Sequence, residues 1–407
     1  MESKYKDSHM HKTIDTGILT FVPDLWDNYW ASRHHVMSRL SQHYKVLWVS
    51  PPLPWRKAFS ASHIMGNSRG IKKQSSNLWI YEPEWYLPCK TRIRVLSRSW
   101  DWIRKRRIKG FLSDMGIKRL ILYLWRPEYF SCVGKFDEDL VCYHIDDEYT
   151  FSFDKDQPVS DTERELIRNS DLVFIHSKSL LKKKGSLNFH TFYIPNGVAY
   201  SYYREVMDDP NAYFCELDEI PEPRIGYVGI IKKQIDLDLI LEIARKRKNW
   251  SIVLIGPISK SHKEVQKKIE LLRKEKNVFL LGGIKPDDLP KYIKKLDVCL
   301  MCYQRNEYTK YIYPMKVNEY LACGKPVVSV YLENLEEFES VLYFASDVSD
   351  WISKIEKCVK ENDSEKTFNR IKWANQNSWD SRIEKVVSIF QEKLCKNSLM
   401  SEKGTCR

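Results

Sequence analysis

No run of apolar residues in this 407-residue chain approaches the ~18 that a membrane-spanning helix needs, which excludes a helical integral membrane protein. Met1 to Lys12 is polar and holds no apolar core ahead of a cleavage site, so it does not read as a signal peptide, and the expected location is the cytoplasm. Ten cysteines are scattered, and only Cys299 and Cys302 stand at a ligand-like spacing, with no second pair to complete a zinc site. They lie in LDVCLMCY, which reads as a buried strand carrying reduced thiols. With 43% apolar and 29% charged residues the chain is neither disordered nor a small disulfide scaffold. At ~100–200 residues per domain, its length suggests two or three domains.

Charge of one sign is confined to a single stretch. The net charge is +12, and the 16 Lys and Arg against 4 Asp and Glu between Pro51 and Leu120 account for all of it. Within that stretch, Cys89 to Leu112 has a helical pattern, with Ile93, Leu96, Trp100 and Ile103 on one face. Arg92, Arg98, Arg104, Lys105 and Arg106 occupy the other faces, and Trp85, Tyr86 and Trp102 are close in sequence. An interfacial helix on an anionic membrane has this composition, and so has a core helix with a solvated basic face. The membrane reading assigns the contact to Lys90–Lys109. No nucleic-acid-binding motif accompanies the charge, so nucleic acid is not an expected partner.

Short apolar runs alternate with helical patterns along the first half. Thr16–Pro23, Lys45–Pro52, Arg119–Pro127, Asp139–Asp147, Asp171–Ser177 and Thr191–Val198 read as strands, with a helix over Tyr29–Tyr44. A polar stretch, Ala199–Pro223, reads as a linker with one short helix. The pattern then restarts at Arg224–Ile231, followed by a helix over Ile235–Lys248 and further strand–helix pairs. The expected fold is α/β, with two Rossmann-like, doubly wound parallel-sheet domains facing a cleft, since such sheets bind ligands beyond the carboxyl ends of their strands. The boundaries are 13–200, a linker over 201–222, 223–378, and a terminal amphipathic helix over 379–395.

The most informative segment is Arg305–Ser329, RNEYTKYIYPMKVNEYLACGKPVVS. It follows a strand and contains a helix start near Pro314, where free N–H groups and the positive dipole end suit a phosphate. Lys316 adds a cation there. Glu319, one turn on, could accept hydrogen bonds from sugar hydroxyls, though the same residues would also suit a solvated first turn. In the first half, His144, Asp146 and Asp147 close a strand, where an imidazole or carboxylate could act as a general base. Alternatively, Asp146 or Asp147 caps the next segment. Arg33 lies on the first helix beside His34 and His35, which read as structural histidines. The Asp236-Leu-Asp238 triplet mimics a metal-binding pair but sits at a helix start, where aspartates cap.

YPMKVNEYLACGKPVV resembles the signature of two-domain GT-B glycosyltransferases of group 1 (family 4-like), closest to the bacterial teichuronic acid and surface polysaccharide branch. DLWDNYWASRHHVMSRLS, YHIDDEYTFS, SDLVFIHSKSLL, IPNGV, RIGYVGII and VLIGP fit that branch in order. The resemblance implies a nucleotide-sugar donor, UDP-linked, on the second domain. Glu319 matches the ribose-binding glutamate, while Lys316, Asn306, Glu307 and Thr309 would face the diphosphate or sugar. Gly226 and Gly229 would admit the phosphates, with Lys232 or Lys233 nearby, and Gly282, Gly283 and Ile284 would meet the base. Asp147 or His144 would serve as base, with Arg33 and Asp146 on the acceptor side, unless the donor phosphate itself assists proton removal. No metal or other cofactor is expected. The acceptor would be a lipid-linked or growing cell-surface glycan, placing the protein at the inner face of the membrane. One departure stands out: the family's E-x7-E pair has Tyr311 in place of its first glutamate, so that glutamate is either missing or supplied by Glu307. A sugar-nucleotide epimerase and a non-catalytic nucleotide-sugar-binding protein of the same fold are the rival readings.

Overall fold

The computed structural model describes residues 15–27, 30–58, 69–89, 94–151, 159–210, 216–260 and 262–404. The chain divides into two units: 1–176 with 180–194 and 383–407, and 177–179 with 195–382. The expected linker is therefore part of the second unit, and most of the terminal helix returns to the first.

The first unit is built on an eight-stranded sheet. Its strands are β1 (Thr16–Phe21), β2 (Lys45–Val49), β3 (Gly70–Ser75), β4 (Leu78–Glu82), β5 (Arg119–Leu124), β6 (Leu140–Ile145), β7 (Leu172–Ile175) and β8 (Thr191–Tyr193). The order is β3-β4-β2-β1-β5-β6-β7-β8, parallel throughout except for the β3–β4 pair. β6 and β7 are buried at every position, as expected of parallel strands covered on both faces. The antiparallel pair escapes the sequence reading because β3 carries one large apolar residue, Ile71, and is exposed along most of its length. Lys72 and Lys73 on this edge discourage pairing with another sheet. Trp48, Trp125, Tyr123, Tyr143 and Phe174 fill the core, each such ring contributing roughly 4–6 kcal/mol by burial.

Helix α1 (Ser32–Leu40) follows β1, and α2 (Arg94–Asp114) precedes β5. In α2 the buried ridge runs through Ser97, Ile108, Leu112 and Met115 just beyond its end. The expected face is out of phase with this: Leu96 is exposed, Trp100 and Ile103 are only half-buried, and Ile93 lies outside the described residues. Arg104 sits on the inner side instead, with its guanidinium donating to the Leu87 and Pro88 carbonyls. Helices α3 (Val159–Asn169) and α4 (Lys178–Lys184) flank β7 in sequence.

The second unit has six parallel strands: β9 (Arg224–Val228), β10 (Ser251–Ile255), β11 (Val278–Gly282), β12 (Val298–Met301), β13 (Val327–Val330) and β14 (Tyr343–Ala345). Their order, β11-β10-β9-β12-β13-β14, is that of a doubly wound dinucleotide-binding sheet, with its switch point between β9 and β12. Helix α5 (Tyr200–Asp208) lies in the stretch read as linker. Helix α6 (Leu237–Lys246) follows β9, α7 (Lys263–Leu272) follows β10, and α8 (Leu289–Lys294) precedes β12. Helix α9 (Met315–Ala322) connects β12 to β13, and α10 (Val348–Val359) and α11 (Ser364–Gln376) follow β14. Asp236 caps α6 by accepting the Leu239 N–H at 3.0 Å, and Asp238 pairs with Lys268 at 2.7 Å. The last helix, α12 (Trp379–Gly404), buries Ile383, Val386, Phe390 and Leu394. The ring of Phe390 lies 5.8 Å from Phe174 and 6.2 Å from Tyr123 in the first unit's core.

Candidate functional site

The switch point of the second sheet sets the principal site. β9 ends in a turn at Gly229, whose φ of +139° suits glycine. A Cβ there would lie 3.0 Å from Lys316 Cε and 3.1 Å from the Tyr227 hydroxyl. The next turn, after β10, packs against it: a Cβ on Gly256 would lie 2.1 Å from the Gly229 carbonyl oxygen. Two glycine turns thus stack at the carboxyl edge, and side chains at either position would close the approach. Lys316, in the first turn of α9, lies across Gly229. Its Nζ donates to the Tyr303 hydroxyl at 2.8 Å and sits over the Tyr227 and Tyr303 rings at 5.4 and 5.0 Å.

Glu319, one turn further along α9, is half-buried. Burial raises its carboxyl above the ordinary range, with Lys316 and a hydrogen bond from Tyr203 acting in the opposite direction. Tyr203, on α5, is a site residue that the sequence reading missed because it falls in an aperiodic stretch. The IPNGV segment serves α9 structurally: Asn196 Nδ2 donates to the Tyr313 carbonyl at 3.1 Å, and Asn318 Nδ2 donates to the Asn196 carbonyl at 3.3 Å.

The loop residues expected beside Lys316 divide. Asn306 and Glu307 line a cavity of about 580 Å³ with Lys233, Gln234 and Tyr308; neither Lys316 nor Glu319 lines it. Lys233, rather than Lys232, faces this cavity, with its Nζ 5.9 Å from the Tyr308 ring centre. Thr309 is fully buried, and its hydroxyl donates to the Gln304 carbonyl at 2.6 Å. It therefore braces the loop instead of facing a ligand. Asn306 Oδ1 accepts the Tyr308 and Thr309 N–H groups at 3.0 and 2.9 Å. Gly283 is exposed and Ile284 half-buried, just past β11 on the same carboxyl edge. Gly226 sits within β9, where a Cβ would strike Leu296; its role is packing. Burial pushes the Cys299 and Cys302 thiols up to about 12, which keeps both protonated.

In the first unit, His144 does not reach an open surface. Its ring stacks 4.3 Å from Trp125, its Nδ1 is 2.7 Å from the Tyr123 hydroxyl, and burial lowers its pKa to about 3. A neutral core imidazole cannot serve as the expected general base. Asp146, one residue past β6, pairs with Arg33 and accepts the Tyr149 hydroxyl at 2.5 Å. Burial opposes its charge, but Arg33 and Tyr149 outweigh it and lower its pKa. Arg33 also pairs with Asp24 at 2.5 Å. Asp147 is half-buried and accepts the Glu148 N–H at 2.8 Å. A buried cluster escaped the sequence reading: Lys184 pairs with Glu163 at 2.8 Å and Glu148 at 3.2 Å, and Lys183 reaches Glu148 at 2.9 Å.

Two doubly wound parallel-sheet units, the second with its switch point beside a helix N-terminus, make the GT-B architecture. Residues 222–361, within the second unit, match the family described as Glycosyl transferases group 1. TuaH of Bacillus subtilis (strain 168), which is named as a teichuronic acid biosynthesis glycosyltransferase, is 27% identical over 217 residues. That alignment spans 51% of this chain and 53% of TuaH, about half the length of that relative. Among solved structures, HepE from Anabaena in complex with UDP and glucose superposes with a TM-score of 0.66 at 14% identity, covering 93% of this chain and all of that one. Sucrose-phosphate synthase from Thermosynechococcus elongatus gives 0.65 at 12% identity, over 94% of this chain and all of that one. These two likenesses establish the fold.

Proposed function

We propose that the chain is a glycosyltransferase that moves a sugar from a UDP-linked donor to a lipid-linked or growing cell-surface glycan at the inner face of the membrane. The observation that carries the reading is Lys316, at the N-terminus of α9, lying across the Gly229 turn with Glu319 one turn behind it. Bond cleavage leaves negative charge on the diphosphate. A fixed ammonium and free helix N–H groups stabilise that charge where it develops, so the reading assigns no metal. Glu319 accepts hydrogen bonds from the ribose hydroxyls. On the acceptor side, Asp147 takes the hydroxyl proton, while Arg33 and Asp146 position the acceptor. TuaH's name and the UDP in the HepE structure favour this reading over an epimerase.

No helix among the described residues is long and apolar enough to cross a membrane. Attachment is assigned instead to the outward face of α2, where Val95 and Trp102 are 72% and 59% exposed beside the exposed Arg98 and Arg106. Lys90, the first residue of the expected segment, lies outside the described residues.

The test is a thermal-shift panel of UDP-, GDP- and dTDP-sugars on the wild type and Glu319→Ala. A ligand that binds only the folded state raises the apparent stability. One UDP-sugar should shift the wild type, with affinity falling about 10- to 100-fold in the variant, the scale of a lost hydrogen bond to a charged group. A shift of equal size in Glu319→Ala would remove that residue from the site. No shift with any nucleotide sugar would overturn the donor assignment.

A further inference from the structure

The first unit holds a second cavity, of about 620 Å³, within the usual range of small-molecule sites. It opens at the carboxyl ends of β1 and β2 and is roofed by α2. Phe21, Val49, Ile108 and Phe136 form apolar walls, and the last three are each less than a tenth exposed. The polar groups at its rim are unevenly committed. Asp101 is taken by Arg104, and Glu128 by Arg126 at 3.4 Å. Lys105 and Lys135 also line the cavity, and among the described residues no carboxylate pairs with either; Asp137 is taken by Lys109. The cavity thus combines an apolar interior with two uncommitted cations. Trp102 lines it as well and is one of the exposed residues on the outward face of α2.

We infer that this cavity seats a single-chain lipid phosphate, with the chain against the apolar walls and the phosphate at Lys105 and Lys135. A neutral lipid would leave two ammonium groups unmatched at the rim. A free phosphate would leave the apolar walls facing water. Only an amphiphile with an anionic head satisfies both. The inference rests on the lipid-linked acceptor proposed above and assigns the part of that acceptor which this unit holds. Because Trp102 both lines the cavity and is exposed on the outward face of α2, the cavity rim reaches the face to which membrane attachment is assigned.

Cys89 and Cys132 line the cavity and provide native reporters, while Cys395 on α12 is exposed and serves as the internal control. The experiment follows maleimide labelling of the full chain by peptide mass spectrometry. At ten times its Kd, farnesyl diphosphate should slow labelling of Cys132 about tenfold by mass action and leave Cys395 unchanged. Inorganic pyrophosphate and farnesol should each protect far less, and Lys105→Ala/Lys135→Ala should abolish protection. Both lysines carry solvent-accessible side chains, so the variant should fold; its melting temperature checks this. Absence of protection, equal protection in the double variant, or equal protection by pyrophosphate would each overturn the proposal. Protection by phosphatidylglycerol vesicles alone would also overturn it, because membrane docking would then be the cause. A UDP-sugar thermal shift on the same preparation separates the two readings. Donor binding without protection sinks only the cavity, and protection without donor binding sinks only the transferase.

Discussion

His144 is buried and held neutral, and this sets an acid sensitivity that can be separated from catalysis. Its ring is 2% exposed, stacked on Trp125, with a folded pKa of about 3 against an ordinary value of 6.5. Below about pH 6.5 the unfolded chain takes up a proton at this residue, and the native chain does not until about pH 3. The unfolded state therefore binds more protons in that window, and stability falls as pH falls through it. The slope contributed by this one ring is about 1.4 kcal/mol per pH unit, or about 2 kcal/mol between pH 6.5 and 5. In His144→Phe the ring stays aromatic and the titrating group is gone. The variant is expected to be less stable at pH 8 by about 1–3 kcal/mol, because the Tyr123 hydroxyl loses its partner. Its further loss between pH 6.5 and 5 should be smaller than the wild type's by about 2 kcal/mol. Urea unfolding followed by tryptophan fluorescence at four pH values measures both quantities. His34, His35 and His176, whose pKa values are also lowered by burial, are present in both proteins, so apart from the coupling between His176 and His144 their contributions cancel in the difference. Parallel pH profiles would refute the argument. So would donor-dependent transfer abolished in a stably folded variant, since that would restore a chemical role to this ring.

The buried Glu148–Lys184–Glu163 cluster predicts a large and specific loss. Lys184→Met removes the ammonium from two buried carboxylates and should cost about 3–5 kcal/mol in chemical unfolding; a cost under 1 kcal/mol would mean that water replaces the pairing. On the outer face of α2, Arg98→Ala/Arg106→Ala removes two cations worth about 1 kcal/mol each at an anionic surface. Sedimentation with phosphatidylglycerol vesicles should then weaken about 30-fold and become less salt-dependent. Equal binding to neutral vesicles, or an unchanged double variant, would count against membrane attachment.

The strands legible in the sequence are the ones buried on both faces, because continuous apolar runs such as DLVCYHI and DLVFI survive as a pattern without alternation. β3 was not legible, since an exposed edge strand shows no such run; β4 does carry the apolar run LWIY, which the reading of the basic stretch passed over. The phase of α2 was misread because its inner side includes Arg104, whose partners are the Leu87 and Pro88 carbonyls. An arginine bound to carbonyls looks identical in sequence to a solvated one. His144 was misplaced for a related reason. A strand's last residues lie at the carboxyl edge, but both faces of this sheet are covered. Asp146 and Asp147, just past Ile145, are the first partly exposed residues, and Glu148 and Tyr149 turn back into the core.

The second-unit site was more legible because it depends on local spacing. Lys316 and Glu319 fall three residues apart on one helix, and Gly229 falls at the end of a strand, so their meeting required only that α9 start at the switch point. What the sequence could not supply was the set of groups that restrain Lys316. Its ammonium rests on the Tyr303 hydroxyl and two tyrosine rings, and among the described residues no carboxylate pairs with it. A direct carboxylate partner would neutralise the charge before a ligand arrived. A hydroxyl and two ring faces fix its position and leave the charge available. Glu307 lines the cavity with Lys233, away from this cation. The arrangement keeps positive potential at the helix N-terminus, which is the potential that the donor site proposed above requires.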